Sequence, residues 1–132
     1  MTSAFSAILN GRQICHKLLE DEEFVAFLSE TPIREGHTIV IPKKEIDALF
    51  EMEDGLLSRM IVFSKKAAHL IKPAIPCVKI GLMAAGIQVR HAHLHLVPMD
   101  QPADLDFSKA KSATNEELTG IANKIKKPKR EL

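Results

Sequence analysis

The fold and the chemistry of this chain are both read from one stretch in its second half, Val89-Arg90-His91-Ala92-His93-Leu94-His95-Leu96-Val97-Pro98. Three histidines, His91, His93 and His95, stand at alternate positions in it. Successive side chains of a β-strand point to opposite faces, so the pattern predicts a strand over residues 89–97 with all three imidazoles on one face. An unpaired buried imidazole is costly. The histidine face must therefore meet water, a polar partner or a ligand.

Three interpretations of this face are open. It is a polar strand surface, a metal site, or a centre for phosphate chemistry. Zinc accepts three histidines and a water, but no Asp or Glu lies between Asp54 and Asp100 to complete such a site nearby in the sequence. Phosphate chemistry is favoured by the residue type, because a neutral imidazole is a good nucleophile and its neighbours can hydrogen-bond to developing oxyanions.

The composition is that of one globular domain, and we expect residues 1–132 to form it. The chain has 132 residues, 45% apolar and 27% charged, with only two cysteines, Cys15 and Cys77, outside any Cys-x-x-Cys pair. This excludes a disulfide scaffold and favours a reducing compartment. No apolar run approaches the roughly 18 residues of a membrane span, and the N-terminus lacks a signal-peptide pattern. We expect a cytoplasmic protein with no membrane partner.

The charge is balanced, with a formal net charge of +1. All six aromatic residues are phenylalanines. Such a chain has neither the basic footprint nor the stacking platforms typical of nucleic-acid binding, so no nucleic-acid partner is expected. The C-terminus is locally basic, and we interpret it as a solvated end.

The pattern of apolar residues predicts an α+β fold with a mainly antiparallel five-stranded sheet, one long helix and two or three shorter ones. Strands are predicted over residues 13–19, 24–28, 37–41, 77–83 and 89–97, and helices over 5–9, 45–50, 55–71 and about 115–126. Asp54 is the candidate N-cap of the long helix, and Pro73 is expected to end it. Pro98 is expected to end the histidine strand, and 77–83 to be a central strand. Thr114 and Glu117 form a capping box.

A wider set of motifs makes the sequence similar to one family. Residues 91–97, His-Ala-His-Leu-His-Leu-Val, resemble the His-φ-His-φ-His-φ-φ signature of the histidine triad (HIT) family. Residues 8–11 are similar to the turn after its opening helix, and residues 24–27 to its apolar strand ending in Ala-Phe. Pro32, His37 and residues 40–43 follow in the family's order. The resemblance covers roughly residues 5–99.

The resemblance implies a nucleotide hydrolase or transferase that cleaves the α-phosphate bond of a nucleoside phosphoramidate or a dinucleoside polyphosphate. His93 would attack the phosphorus and form a nucleotidyl-histidine intermediate, which water hydrolyses. His95 would hydrogen-bond to the phosphate oxygens. His91 and His37 would orient the site, with the carbonyl of His91 holding His93 in the attacking tautomer. The chemistry needs no metal and no cofactor, and analogy to the family predicts a homodimer.

The resemblance also places the substrate contacts. Ser29 stands where an acidic residue often holds the ribose hydroxyls, and Gln88 where a hydroxyl side chain is usual beside the triad. Phe5, Ile8 and Phe27 either line a base pocket or belong to the core. Because the contacts that flank the imidazoles are altered, a nucleotide-binding module with little turnover is the alternative function.

Overall fold

The computed structural model describes residues 4–11, 15–87 and 89–127. It contains three helices and five strands within those ranges: α1 Ala4–Leu9, β1 Lys17–Glu20, β2 Phe24–Leu28, β3 Thr38–Pro42, α2 Asp54–Ala74, β4 Lys79–Met83, β5 Leu94–Met99 and α3 Asn115–Lys126. Short 3-10 turns lie at Leu49–Glu51, Pro102–Asp104 and Phe107–Lys109. No helix in the described ranges is long and apolar enough to cross a membrane.

The five strands form one sheet in the order β1-β2-β3-β5-β4, and every neighbouring pair is antiparallel. The predicted fold class, an α+β fold with a five-stranded antiparallel sheet, is confirmed. β5 enters between β3 and β4 after the long helix α2, so the histidine stretch lies beside the end of β3 rather than at a sheet edge.

Both faces of the central strands are covered, because alternate residues of β2 and β3 pack into two separate apolar clusters. Phe24, Ala26 and Leu28 pack with α2 and α3 on one face. Val25 and Phe27 pack with residues of β3 under α1 on the other. All ten residues of β2 and β3 are therefore buried. The α1 face is the one that carries the site.

Two prolines do not end the elements that they were expected to end. Pro73 lies inside the last turn of α2, which continues to Ala74 and closes with the Ile75 N–H donating to Ile71. Pro73 removes the hydrogen bond that an N–H at this position would donate to the carbonyl of His69, and the helix ends one residue later. Pro98 lies inside β5 and pairs with β4. Since β3 begins at Thr38, opposite Leu96, no strand flanks Pro98 on that side and no ladder bond is lost.

The strand predicted over 77–83 is at the sheet edge as β4, not at its centre. Its exposed apolar side chains misled the prediction: Leu82 is 49% exposed and the preceding Val78 60%. The long helix begins one residue earlier than predicted, so Glu53 rather than Asp54 is the N-cap, and it makes no side-chain cap bond. Of the helical turns predicted over 45–50, only the 3-10 turn Leu49–Glu51 forms.

The predicted start of the C-terminal helix is confirmed. The Glu117 N–H donates to the Thr114 hydroxyl at 3.1 Å, and the Thr114 N–H donates to the Glu117 carboxylate at 2.9 Å. Both are donors that a helix start otherwise leaves unpaired. Of the basic C-terminus, Lys124 pairs with Glu35 at 2.9 Å, and residues 128–132 lie outside the described residues.

Candidate active site

A cavity of about 590 Å³ lies on the α1 face of the sheet, where β5 begins. Helix α1, the end of β2, the start of β3, the loop after β4 and the segment before α3 enclose it. Its described lining residues are Phe5, Ile8, Cys15, His16, Phe27, Leu28, Ser29, Glu30, Thr31, His37, Ile39, Ala85, Gly86, Ile87, Val89, His93, His95, Phe107 and Ala110.

The histidine stretch is only partly a strand. β5 begins at Leu94, so His95 alone of the triad belongs to it, while His91 and His93 lie in the irregular run before it. The pairing of β3 with β5 ends at Val40 and Leu94, and the Ala92 N–H donates to the carbonyl of Ile46 at 2.7 Å instead of to β3. The prediction of one strand over 89–97 is therefore wrong at its start.

The three imidazoles do not share one direction. His93 and His95 line the cavity, but the ring of His91 turns behind it, where Nε2 donates to the carbonyl of Pro42 at 2.8 Å. His37, directly before β3, lines the cavity beside His93 and His95. All four rings are buried, and none is more than 9% exposed.

The tautomer of His93 follows from its backbone partner. Nδ1 of His93 lies 2.6 Å from the carbonyl oxygen of His91. A carbonyl only accepts, so Nδ1 carries the proton and Nε2 keeps its lone pair. No side-chain nitrogen of the described residues is fully buried without a partner. Nε2 of His93 is therefore open to the cavity, as an unprotonated nitrogen.

The tautomer of His95 is set in the same way through two further groups. The Ile33 backbone N–H donates to Nδ1 of His37 at 3.0 Å, so the proton of the neutral His37 is on Nε2. That Nε2 donates to Nδ1 of His95 at 2.9 Å. The proton of His95 is consequently on Nε2. The site presents one acceptor nitrogen, on His93, and one donor nitrogen, on His95, with ring centroids 4.9 Å apart.

Burial keeps these rings neutral. It lowers the pKa of His37 to about 4. Burial, and then the neighbouring His37 and His93, lower the pKa of His95 to about 3. The pKa of His93 is also lowered by burial, against an opposing effect of its bond to the His91 carbonyl. A neutral imidazole is the form that attacks phosphorus.

Four of the five residues that were predicted to contact the substrate line the cavity. Phe5, Ile8, Phe27 and Ser29 line it, whereas Gln88 lies outside the described residues. Phe5 belongs both to the core and to the cavity wall. Its ring packs in the apolar cluster under α1 and also stands edge-on to His93, with centroids 5.1 Å apart.

Ser29 is 4% exposed, and its hydroxyl accepts a hydrogen bond from the Thr31 N–H at 3.2 Å. It can still donate its own proton, but it brings no negative charge to the cavity. A hydroxyl is thus a weaker partner for ribose hydroxyls than a carboxylate.

Sequence reasoning missed Phe107, which lines the cavity from the segment between β5 and α3. Its ring stands edge-on to His95, with centroids 4.9 Å apart, and is 42% exposed. The available signal was a single aromatic residue in an otherwise small and polar stretch. His16 also lines the cavity, and its ring nitrogen Nε2 lies 3.2 Å from the Thr119 hydroxyl.

The described residues contain no group of three histidine, cysteine, aspartate or glutamate side chains arranged to hold a metal ion. In the triad region, most ring nitrogens face backbone groups or each other. The triad therefore presents two ring nitrogens to the cavity, Nε2 of His93 and Nε2 of His95.

Comparison with known proteins agrees with this geometry. The family model of the HIT domain matches residues 10–102. An HIT-like protein of Methanocaldococcus jannaschii is 32% identical over 126 residues, 92% of this chain and 97% of its own. An adenylylsulfatase of Arabidopsis thaliana is 28% identical over 99 residues, 71% of this chain and 50% of its own.

Among solved structures, a hypothetical histidine triad nucleotide-binding protein of Sulfolobus tokodaii superimposes with a TM-score of 0.81 at 26% identity, covering 92% of this chain and 88% of that one. The family model spans most of the chain, and the Methanocaldococcus relative matches it nearly end to end. The chain belongs to the HIT family.

Proposed function

We propose that this protein is a nucleotide hydrolase that cleaves the bond between an α-phosphate and its leaving group through a nucleotidyl-histidine intermediate on His93. The observation that carries the proposal is the 2.6 Å contact between Nδ1 of His93 and the His91 carbonyl. It leaves Nε2 unprotonated and open to a cavity large enough for a nucleotide. Membership of a family that includes nucleotide-binding proteins supports the substrate class.

In the first step, Nε2 of His93 forms a bond to the α-phosphorus as the bond to the leaving group breaks. The leaving group keeps the bonding electron pair and takes a proton from water. Because Nδ1 stays protonated against the His91 carbonyl, the intermediate is a phosphorylated imidazolium. Such a ring is a good leaving group, so the covalent intermediate is easily hydrolysed.

In the second step, water attacks the same phosphorus and the electron pair of the N–P bond returns to Nε2 of His93. Over the two steps one water is consumed: its hydroxyl ends on phosphorus and its remaining hydrogen on the leaving group. No other reactant is needed. His95 contributes by donating its Nε2 proton as a hydrogen bond to a phosphate oxygen, where charge develops in both transition states.

The apolar end of the cavity suits the nucleobase. Phe5, Ile8, Phe27 and Ile39 form this wall, and they belong to one packed cluster that holds them in place. Ligand pockets are mostly apolar with a few polar groups that fix orientation. Ser29 would be the polar group nearest a ribose, as the resemblance to the family implies.

The alternative function, nucleotide binding with little turnover, is favoured by one observation. Ser29 supplies no charge for the ribose, and its hydroxyl already accepts a bond from its own loop. A nucleotide would then be oriented less firmly, and orientation supplies much of the rate of such reactions.

The experiment that separates these functions follows AMP release from adenosine 5′-phosphoramidate. We expect turnover by the natural protein and a loss of at least about a hundredfold in His93→Ala. His69→Ala, which removes an exposed imidazole from α2, is the matched control and should retain full activity. Intact-protein mass spectrometry during turnover should detect one adenylyl group that His93→Ala lacks.

Full activity of His93→Ala would contradict the nucleophile. AMP binding by calorimetry with no turnover in the natural protein would instead establish the binding module. Both results are readable from the same protein preparations.

We also propose a homodimer. β4 is an edge strand, and no described strand pairs with its outer side. The apolar side chains of Leu82 in this strand and of Val78 just before it are exposed. Edge strands with exposed apolar side chains readily pair with another chain. Sedimentation equilibrium tests this directly. A cytoplasmic location remains a proposal too, supported by the free thiols of Cys15 and Cys77.

A further inference from the structure

The loop between β3 and α2 is joined to two sides of the candidate active site through two adjacent residues. The hydroxyl of Ser6 in α1 donates a hydrogen bond to the carboxylate of Glu45. The N–H of Ala92, in the histidine run, donates to the carbonyl of Ile46 at 2.7 Å. Helix α1 and the histidine run are therefore attached to the same short piece of chain.

The contact at Ile46 fixes the group that orients the nucleophile. The N–H of Ala92 and the carbonyl of His91 belong to one peptide group, which is planar. That carbonyl accepts the Nδ1 proton of His93 at 2.6 Å. A main-chain hydrogen bond to Ile46 thus holds the peptide plane on which the tautomer of His93 depends. The side chain at position 45 takes no part in this contact.

The contact at Glu45 holds helix α1. This helix has only six residues, and so short a helix is not stable alone, so its position depends on contacts with the rest of the fold. Phe5 and Ile8 supply apolar contacts, which are non-directional. A hydrogen bond is directional. The bond from Ser6, which is 2% exposed, to a carboxylate is also charge-assisted, so it restricts sliding and rotation of α1 over the sheet.

The apolar wall that α1 carries stands directly beside His93. Phe5 precedes Ser6 in the helix, and its ring lies edge-on to the ring of His93, with centroids 5.1 Å apart. It also lies edge-on to Phe27, with centroids 5.7 Å apart. A displacement of α1 would change the gap between this wall and His93. The nucleobase and the α-phosphate of one bound nucleotide have to fit across that gap together.

We propose that Glu45 is a positioning residue, which acts through Ser6 to hold the apolar wall at a fixed distance from His93 and thereby sets how tightly the nucleobase is bound. The inference rests on the proposed function and deepens it. Glu45 is not among the described residues that line the cavity, so its effect reaches the substrate through α1. Because the main chain of Ile46 holds His93 separately, the side chain of Glu45 affects substrate binding and not the chemical step.

The kinetic test measures KM and kcat for AMP release from adenosine 5′-phosphoramidate. For Glu45→Ala we expect KM to rise about threefold to tenfold, the range for loss of one hydrogen bond, while kcat changes less than about twofold. A rise in KM alone is the result of lost uniform binding. Glu45→Gln keeps an accepting oxygen and should restore KM to within about twofold of the natural value. Asp47→Ala, at an exposed carboxylate in the same loop, is the matched control.

A double-mutant cycle tests whether Glu45 acts through Ser6. Ser6→Ala should raise KM by about the same factor as Glu45→Ala, because each variant removes one partner of the same hydrogen bond. The variant with both substitutions should show no larger increase than either single variant. Two residues that affect binding independently would instead multiply their effects on KM.

Hydrogen exchange of the natural protein and Glu45→Ala provides a readout that does not depend on activity. Within the start of the chain, the Asn10 N–H donates to the Ser6 carbonyl at 2.9 Å, and the Gly11 N–H donates to the Ile8 carbonyl at 3.2 Å. The peptide that covers residues 4–11 should exchange faster in Glu45→Ala, whereas the peptide that covers β2 should not change. General destabilisation would accelerate exchange in both peptides.

An unchanged KM in Glu45→Ala, a fall of kcat in place of a rise in KM, or multiplied effects in the double variant would overturn the role of Glu45 and leave His93 as the nucleophile. If the natural protein neither releases AMP from the phosphoramidate nor binds AMP in calorimetry, the proposed function fails and the role of Glu45 in substrate binding fails with it. The two failures are therefore distinguishable.

Discussion

Lowering the pH should destabilise this protein through its buried histidines before most of its carboxylates are protonated. His37 is 1% exposed, and burial lowers its pKa to about 4 from an ordinary 6.5. Between these two values the unfolded chain binds a proton at His37 that the folded protein does not. The free energy of unfolding therefore rises with pH in this window and is lost as the pH falls through it.

The magnitude follows from the two pKa values. Each pH unit inside the window is worth about 1.4 kcal/mol for one such group. Integrated from above pH 6.5, His37 alone costs the folded protein about 2 kcal/mol by pH 5 and about 3 kcal/mol by pH 4. His95, whose pKa is also lowered, adds to the loss in the same direction.

The assay is urea unfolding at half-unit steps from pH 7.5 to pH 5. The lower limit lies about one unit above the ordinary pKa values of carboxylates, so that their titration contributes little. The variant His37→Gln removes one titrating group and should flatten the slope of unfolding free energy against pH. His69→Gln removes an exposed imidazole and should leave the slope unchanged. Equal slopes in the natural protein and His37→Gln would refute the assignment of a neutral, buried His37.

Three further predictions follow from the site and the fold. Because burial lowers the pKa of His93, the acid limb of kcat/KM for AMP release should have its midpoint below 6.5, and a midpoint at or above that value would contradict a neutral buried nucleophile. Dialysis against a chelator should leave the rate of AMP release unchanged, whereas a loss restored by zinc would replace the imidazole mechanism with a metal one. Gly36→Ala should cost about 1–3 kcal/mol in urea unfolding, since φ is +88° and a Cβ would stand 3.0 Å from Ile75 and 3.2 Å from Pro98. Gly120→Ala, which meets nothing within 4 Å in helix α3, should be neutral or stabilising, and an equal cost at both glycines would remove the steric argument.

The sequence pattern was sufficient for the elements whose signals are local. β2 was predicted with its exact bounds, because five consecutive apolar residues follow a charged turn, and the capping box marked the start of α3. These signals depend on residues within a few positions of one another. They do not depend on what covers the element.

The errors concern properties that the rest of the fold decides. Alternation of histidines and apolar residues predicted a strand over 89–97, but the pairing with β3 ends at Leu94, before it reaches His93 or His91. Nothing within the stretch itself reveals where the neighbouring strand stops. The edge position of β4 likewise depends on the route of β5 through the sheet.

The candidate site was predictable in its residue types but not in its geometry. The triad and His37 were identified from motifs, yet the ring of His91 lies on the Pro42 carbonyl rather than at the cavity wall, where His37 stands with His93 and His95. Phe107 was missed because an isolated aromatic residue in a loop carries no periodic signal.

Backbone groups fix which ring nitrogens of the candidate site carry protons. The Ile33 N–H fixes the tautomer of His37. The carbonyl of Pro42 fixes the tautomer of His91, and the carbonyl of His91 fixes that of His93. Replacing the side chain at position 33 alters packing but leaves its backbone amide in place. Such a substitution therefore does not change which ring nitrogens carry protons. Only a change that moves or deletes those peptide groups, such as an ester bond in place of the amide at position 33, can reverse which nitrogen is the donor.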